Sequence, residues 1–183
     1  NFISDMIAKF EKYMPSLFYC TVGDFVVPHE SKLEFYTIDR EEVIKDYNDS
    51  FNLIKDLLSL IVGLSNFKLA GSIDDFPNKN EGMKGVPGLE DFQLLTDGLK
   101  FDKLQDYHEV NDYLAGGFNH KIRNGIGHKR WGVVHDTQII QFRYKPNDDD
   151  EHYDIQLVDL GYLVVINLLH MMEFVLLIEK IKK

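Results

Sequence analysis

The chain has 183 residues, and 20 Lys and Arg against 30 Asp and Glu give a formal net charge of −10. That excludes a broad basic surface for tracking along nucleic acid, although a local basic patch stays possible. Aromatics at 13% suffice for a substantial core, which argues against disorder, and the single cysteine, Cys20, excludes an internal disulfide framework or a multi-cysteine zinc site.

The length fits one domain, or one domain with a small appendage. Residues 1–14 read as a short amphipathic helix, with Phe2, Met6, Phe10 and Tyr13 at three-to-four spacing and Pro15 at its end. Leu17–Val22 and Leu33–Ile38 look strand-like. Residues 1–38 are therefore expected to form an N-terminal helix and an extended segment, either a linker that wraps the domain or leads to some upstream part, or a small hairpin. Asp39 and Glu42 have capping-box-like spacing and open a long helix through Val43, Tyr47, Phe51, Ile54, Leu58 and Val62 to about Asn66 or Ala70, before Gly71.

Residues 71–88 hold four glycines and two prolines and predict a long loop. Two shorter helices are expected over Leu89–Leu99 and Leu104–Leu114, broken near Gly98. Phe118–Ile126 is again helical in character. After Trp131 the period changes to alternation, so Val133–His135 and Gln138–Tyr144 predict a hairpin turning at Asp136–Thr137, with His152–Val158 as a third strand. Asp159 is expected to cap a last helix to Lys183. Leu160–Ile178 is apolar enough to raise a membrane span, but Asn167, His170 and Glu173 recur every third residue and would be costly in lipid. The expectation is a buried helix. No basic stretch leading into an apolar run and a cleavage site marks a secretory signal, and a cytoplasmic location is expected.

The chemistry concentrates at 118–131, F-N-H-K-I-R-N-G-I-G-H-K-R-W. Asn124 follows Arg123 directly, and four residues separate Arg123 from His128. Asn119 lies one helical turn before Arg123. Gly125 and Gly127 are poor helix residues and suggest a helix end that brings His128 near the Arg123 guanidinium. RNA carries its own nucleophile, the ribose 2′-hydroxyl. Cleaving it needs a base, an acid for the leaving 5′-oxygen, and positive charge for the phosphorane-like transition state. Histidine can move the protons, arginine offers a fixed fork to phosphate oxygens, and no metal is needed.

Residues 119–145 carry six basic side chains (Lys121, Arg123, Lys129, Arg130, Arg143 and Lys145) against Asp136 alone. This stretch is at +5 and the remainder at −15 of the total −10. Asn119, Lys121, Lys129 and Arg130 are therefore candidate RNA or phosphate contacts, with Arg123, Asn124 and His128 as catalytic candidates. The bland alternative pairs Arg123 with an acid and uses His128 as a helix cap.

Other sites carry less. His120, His128 and His135 match no usual metal spacing. The acidic run Asp148–Glu151 reads as a solvated turn, and the glycines at 85–88 and 115–117 lack a phosphate-loop lysine. Cys20 reads as a buried apolar residue, His170 as a core histidine that could line the cleft near Arg123, and Trp131 as packing against the hairpin. Neither a metal nor a cofactor is expected.

The string R-N-G-I-G-H at 123–128, on a helix in a mostly α chain before a long apolar helix, resembles the HEPN superfamily (higher eukaryotes and prokaryotes nucleotide-binding domains). Its signature is an arginine, a polar residue after it, and a histidine a few positions on, matched here by Arg123, Asn124 and His128. The resemblance spans about 40–183, and its specific part is the motif. The hairpin before the last helix departs from the simplest bundle. The resemblance implies a metal-independent endoribonuclease of toxin–antitoxin, abortive-infection or other antiviral defence systems. It further implies a homodimer whose motifs face each other across a two-fold cleft, with an antitoxin or larger defence complex as a further partner.

The expected fold is thus mostly α, an HEPN-like helical bundle over 39–183 with a small antiparallel β-insertion at 131–157. Some members of the superfamily have lost activity. A non-catalytic helical module that binds nucleotide, RNA or a protein partner is the alternative.

Overall fold

The structure, a computed structural model, describes residues 2–26, 39–76, 83, 85–105, 107, 110–111, 114, 117–135, 137–145 and 151–181. Its helices are α1 (Phe2–Val26), α2 (Arg40–Ala70), α3 (Leu89–Leu94), α4 (Asp97–Gln105), α5 (His120–Gly127) and α6 (Leu157–Ile181). Three strands, β1 (Trp131–Val133), β2 (Ile139–Arg143) and β3 (His152–Gln156), form an antiparallel sheet in the order β1-β2-β3 just before α6. The chain is mostly helical with a small sheet before its last helix, as the periodicity predicts.

Residues 1–51 with 117–183 form one compact unit, and 52–116 form another, so α2 contributes to both. In the first unit α1 packs along α6, where Gly161 makes the close approach possible. A Cβ there would meet Ser16 Oγ at 2.6 Å and Tyr13 Cδ1 at 3.4 Å.

This contact corrects two expectations. α1 does not stop at Pro15, and the strand-like stretch Leu17–Val22 is helical. An interior proline costs about 3 kcal/mol in a helix. Here tertiary contacts on both sides of α1 outweigh it. The fully buried Tyr13 donates its hydroxyl to Asp46 Oδ2 at 2.7 Å, and Lys9 Nζ lies 2.6 Å from Asp46 Oδ1. Burial alone would raise the Asp46 carboxyl. The hydrogen bonds from Lys9 and Tyr13 and the charges of Lys9 and Lys12 outweigh it and hold the group below its ordinary value. The first part of the N-terminal segment is thereby built into this unit. Leu33–Ile38 lies outside the described residues.

α2 starts as expected, with Asp39 Oδ1 accepting from the Glu41 N–H at 2.8 Å. It ends at Gly71, whose φ of 73° belongs to the left-handed region and whose N–H reaches Phe67 O at 2.9 Å. In the second unit Ile54, Leu58 and Val62 of α2 are buried, and Gly63 leaves room for Leu89 of α3. Tyr107 closes this core by donating to Asn66 Oδ1 at 2.6 Å, while Asn66 Nδ2 donates to Ile73 O at 3.0 Å. The helical break falls at Leu95–Thr96 rather than Gly98, which lies in the first turn of α4. Leu95 is extended, and the Thr96 carbonyl accepts the first bond of α4 from Lys100 N at 2.9 Å. The described residues of 71–88 are non-helical, and Val110, Asn111 and Leu114 are helical.

In the sheet, Ile140 of β2 pairs with Val133 and Ile155, and Phe142 pairs with Trp131 and Tyr153. Ile140 and Phe142 are fully buried on the face these residues share. The β1–β2 turn is tied by Thr137, whose hydroxyl donates to Val134 O at 2.9 Å and accepts from Ile139 N at 3.1 Å. α6 follows β3 without a loop. It opens at Leu157, whose N–H still bonds Gln138 O at 2.9 Å, so Asp159 lies within its first turn and does not cap it.

Leu157–Ile178 is the one helix among the described residues long and apolar enough to cross a membrane. Leu160, Val164, Val165 and Leu168 are buried, whereas Leu176 and Leu177 near its end are exposed. Asn167 is fully buried, donates to Ser50 Oγ at 3.2 Å, and rests its carboxamide oxygen against Gly117, where a Cβ would collide with it.

Candidate functional site

α5 carries the motif and is only eight residues long, two of them glycine. Propensity alone would not sustain it, so its ends and its packing must. At the N-terminus Asn119 is the cap, and its side-chain oxygen accepts from Lys121 N at 3.0 Å and Ile122 N at 3.4 Å. The Asn119 backbone is itself held by Tyr47 of α2. The Tyr47 hydroxyl accepts from Asn119 N at 2.9 Å and donates to Asn119 O at 3.2 Å. Burial pushes the Tyr47 phenol well above its ordinary value, against the lowering effect of the Asn119 backbone bond. Phe118, just before the cap, stacks on Phe51 with ring centroids 3.9 Å apart and planes 3° from parallel.

Ile122 is fully buried, and Gly125 is the contact point with the sheet. A Cβ at Gly125 would lie 2.8 Å from Phe142 Cβ and 3.2 Å from Phe142 Cα. The first motif glycine therefore lets a helix lie directly on a strand; it does not end the helix.

The end comes three residues later, in a Schellman turn. His128 is the C-cap residue. Lys129 N donates to Ile126 O at 2.9 Å, and Arg130 N donates to Gly125 O at 2.8 Å. The left-handed position of this turn, usually glycine, holds Lys129 at φ 53°. Arg130 O then accepts from Arg143 N at 2.8 Å, which ties the helix end to β2.

The turn sets the motif's geometry. A Cβ at Gly127 would lie 3.5 Å from Arg123 Nη1, so the Arg123 guanidinium lies over the last turn of α5. His128 follows Gly127 immediately and is exposed, as is Lys129. Asn124 is half-buried, and its carbonyl accepts from His128 N at 3.0 Å. Arg123 and His128 therefore share one helix end, with Asn124 on the intervening turn. The helix carbonyls nearest them are already hydrogen-bonded by residues 128–130, which lessens their repulsion of a phosphate.

The remaining basic residues divide. Lys121 Nζ sits 5.0 Å from the Tyr144 ring centroid, and Arg130 Nη1 donates to Lys145 O at 3.0 Å. Lys145 Nζ is 2.6 Å from Glu151 Oε2, and Tyr144 donates to the same oxygen at 2.8 Å. Those two partners hold the Glu151 carboxyl below its ordinary value. Lys121, Arg130 and Lys145 thus help bind α5 to the hairpin, while Lys129 and Arg143 project from it. The side-chain oxygen of Asn119 is committed to capping.

His170 of α6 is half-buried, and burial lowers its pKa against the opposing charge of Glu173. Among the described residues no group of three His, Cys, Asp or Glu side chains is placed to hold a metal ion. Sequence reasoning passed over a second feature, a cleft of about 480 Å³ beside β3 and the start of α6. Tyr153, Asp154, Gln156, Asp159 and Tyr162 line it, and none of the motif residues does. Two tyrosines and two aspartates in the ten residues 153–162, across a strand–helix junction, were its signal in the sequence. Compared with known protein families, curated proteins and solved structures, the chain finds no match.

Proposed function

We propose that this protein is a metal-independent endoribonuclease of HEPN type, working as a homodimer. The observation that carries the reading is the end of α5, where the Arg123 guanidinium lies over Gly127 and the exposed His128 comes next in the chain. The reaction is a transesterification within the substrate. A bond forms between the ribose 2′-oxygen and the adjacent phosphorus, and the bond from phosphorus to the 5′-oxygen breaks. His128 of one protomer takes the 2′-hydroxyl proton, and its partner's copy of the residue protonates the leaving oxygen. Arg123 faces the non-bridging oxygens as charge builds on them, and Asn124 orients the phosphate. The products end in a 2′,3′-cyclic phosphate and a 5′-hydroxyl.

A two-fold arrangement supplies two histidines from one motif. It also brings two arginines together, and a phosphate between them offsets their repulsion. The acidic remainder of the surface confines RNA to this strip. A toxin–antitoxin or antiviral role follows from the same resemblance.

The test is cleavage of single-stranded RNA by the purified chain and three variants, with solution mass measured alongside. Arg123→Ala and His128→Ala each lower the rate by about a hundredfold or more, and Asn124→Ala costs less. The His128 side chain is exposed, so its variant keeps the fold. Unchanged cleavage by His128→Ala would overturn the assignment. A monomeric mass at micromolar concentration would overturn the composite site.

A further inference from the structure

β3 is an outer strand of the sheet among the described residues. Its register and the Leu157 N to Gln138 O bond settle which of its backbone groups face β2. In an antiparallel pair hydrogen-bonded and non-bonded positions alternate, so Tyr153, Ile155 and Leu157 bond toward β2. The N–H and C=O groups of Asp154 and the N–H of Gln156 turn outward, while the Gln156 carbonyl, just before α6, serves the first turn of that helix. Exposed edges are usually blunted by lysine, proline or a bulge. β3 reads His-Tyr-Asp-Ile-Gln and pairs with β2 in unbroken register over all five residues, so it has none of these.

The cleft wraps this edge. Tyr153 shares a face with Phe142, and Asp154 lies on the opposite face with Gln141, yet both line the cleft. Asp159 and Tyr162 line it from the first turns of α6. The two charged residues that line the cleft, Asp154 and Asp159, are both acids, and Asp154 also accepts from Gln141 Nε2 at 3.3 Å. A phosphate or an acidic peptide is repelled here. A lysine or arginine side chain finds carboxylates for its charge and tyrosine faces for its stem or its guanidinium.

We propose that β3 and this cleft form a docking site for an extended basic segment of a partner protein. The segment pairs with β3 as a fourth strand and sets a lysine or arginine side chain among Tyr153, Asp154, Asp159 and Tyr162. Strand addition supplies affinity through the outward groups of Asp154 and Gln156, and the acidic cleft selects the side chain. The proposal is independent of the ribonuclease reading, because the motif lies outside the cleft.

The test uses the full chain and a fluorescein-labelled peptide of alternating lysine and valine, about six residues long to match a typical strand. A glutamate–valine peptide is the control. The lysine peptide raises fluorescence anisotropy saturably and slows amide exchange at Asp154 and Gln156, and the control does neither. Asp154→Lys weakens binding by about tenfold or more through charge reversal. Gln156→Pro removes one outward donor at an edge position that tolerates proline, and it weakens binding as well. If either variant fails to fold, exchange at the two amides in the unaltered chain decides. Binding without slowed exchange there would reduce the contact to loose charge attraction and overturn the proposal. No binding, or equal binding of the control, would overturn it too.

Discussion

Replacing Lys129 by glycine separates the fold's need at this position from the chemistry's. Lys129 has a φ of 53° in the Schellman turn that ends α5. A side chain in the left-handed region costs roughly 1–2 kcal/mol. Glycine removes that cost but loosens the unfolded chain, which gives back about 0.4–1 kcal/mol. The net gain is about 0.5–1 kcal/mol, or roughly 1–4 °C in melting temperature for a chain of this size. The control is Lys129→Ala, which loses the same charge and keeps the Cβ. Thermal unfolding followed by circular dichroism therefore ranks glycine above lysine, and lysine level with or above alanine. RNA affinity falls equally in both variants, since only the ammonium group matters there. A glycine variant no more stable than the alanine variant would refute the strain argument. A strained, exposed lysine where glycine would be more stable is what a phosphate-binding strip would retain.

Gly125→Ala drives a methyl group into Phe142 at 2.8 Å from its Cβ, with the strand backbone close behind. Overpacking of about 1–3 kcal/mol, less about 1 kcal/mol of helix propensity, leaves a net loss of up to about 2 kcal/mol in urea unfolding. Asp46→Asn weakens the clamp between α1 and α2 by about 1–3 kcal/mol near neutral pH. The folded carboxyl sits below its ordinary value of 3.8, so its contribution is full above that value and drains away as pH falls through the lower folded one. The gap between the urea midpoints of the two proteins therefore narrows as pH falls below the ordinary carboxylate range, and a gap that does not narrow in acid would contradict the clamp.

What the sequence disclosed follows from how local each signal is. The start of α2 at Asp39 and its stop at Gly71 depend on a cap and a left-handed glycine, both readable within a few residues. The alternation of Ile140 and Phe142 likewise announced the sheet. The course of α1 through Pro15 was not readable, because Asp46 and Gly161, which hold it, lie far along the chain. The motif residues were visible as a string, but the purpose of Gly125 was not, since Phe142 supplies it from β2. The helix ends at Gly127, as its two glycines suggested, but the left-handed position of the turn after it holds Lys129 where glycine was the natural choice. The cleft beside β3 escaped notice because its residues come from both faces of a strand and from the helix after it.

The central claim is that RNA's own 2′-hydroxyl attacks at a site built from Arg123, Asn124 and His128. The measurement closest to it is the chemistry of the product ends after the unaltered chain cleaves RNA in excess chelator. The account predicts undiminished cleavage leaving 2′,3′-cyclic phosphate and 5′-hydroxyl ends. Cleavage that stops without divalent metal, or that leaves 5′-phosphate ends, would contradict it.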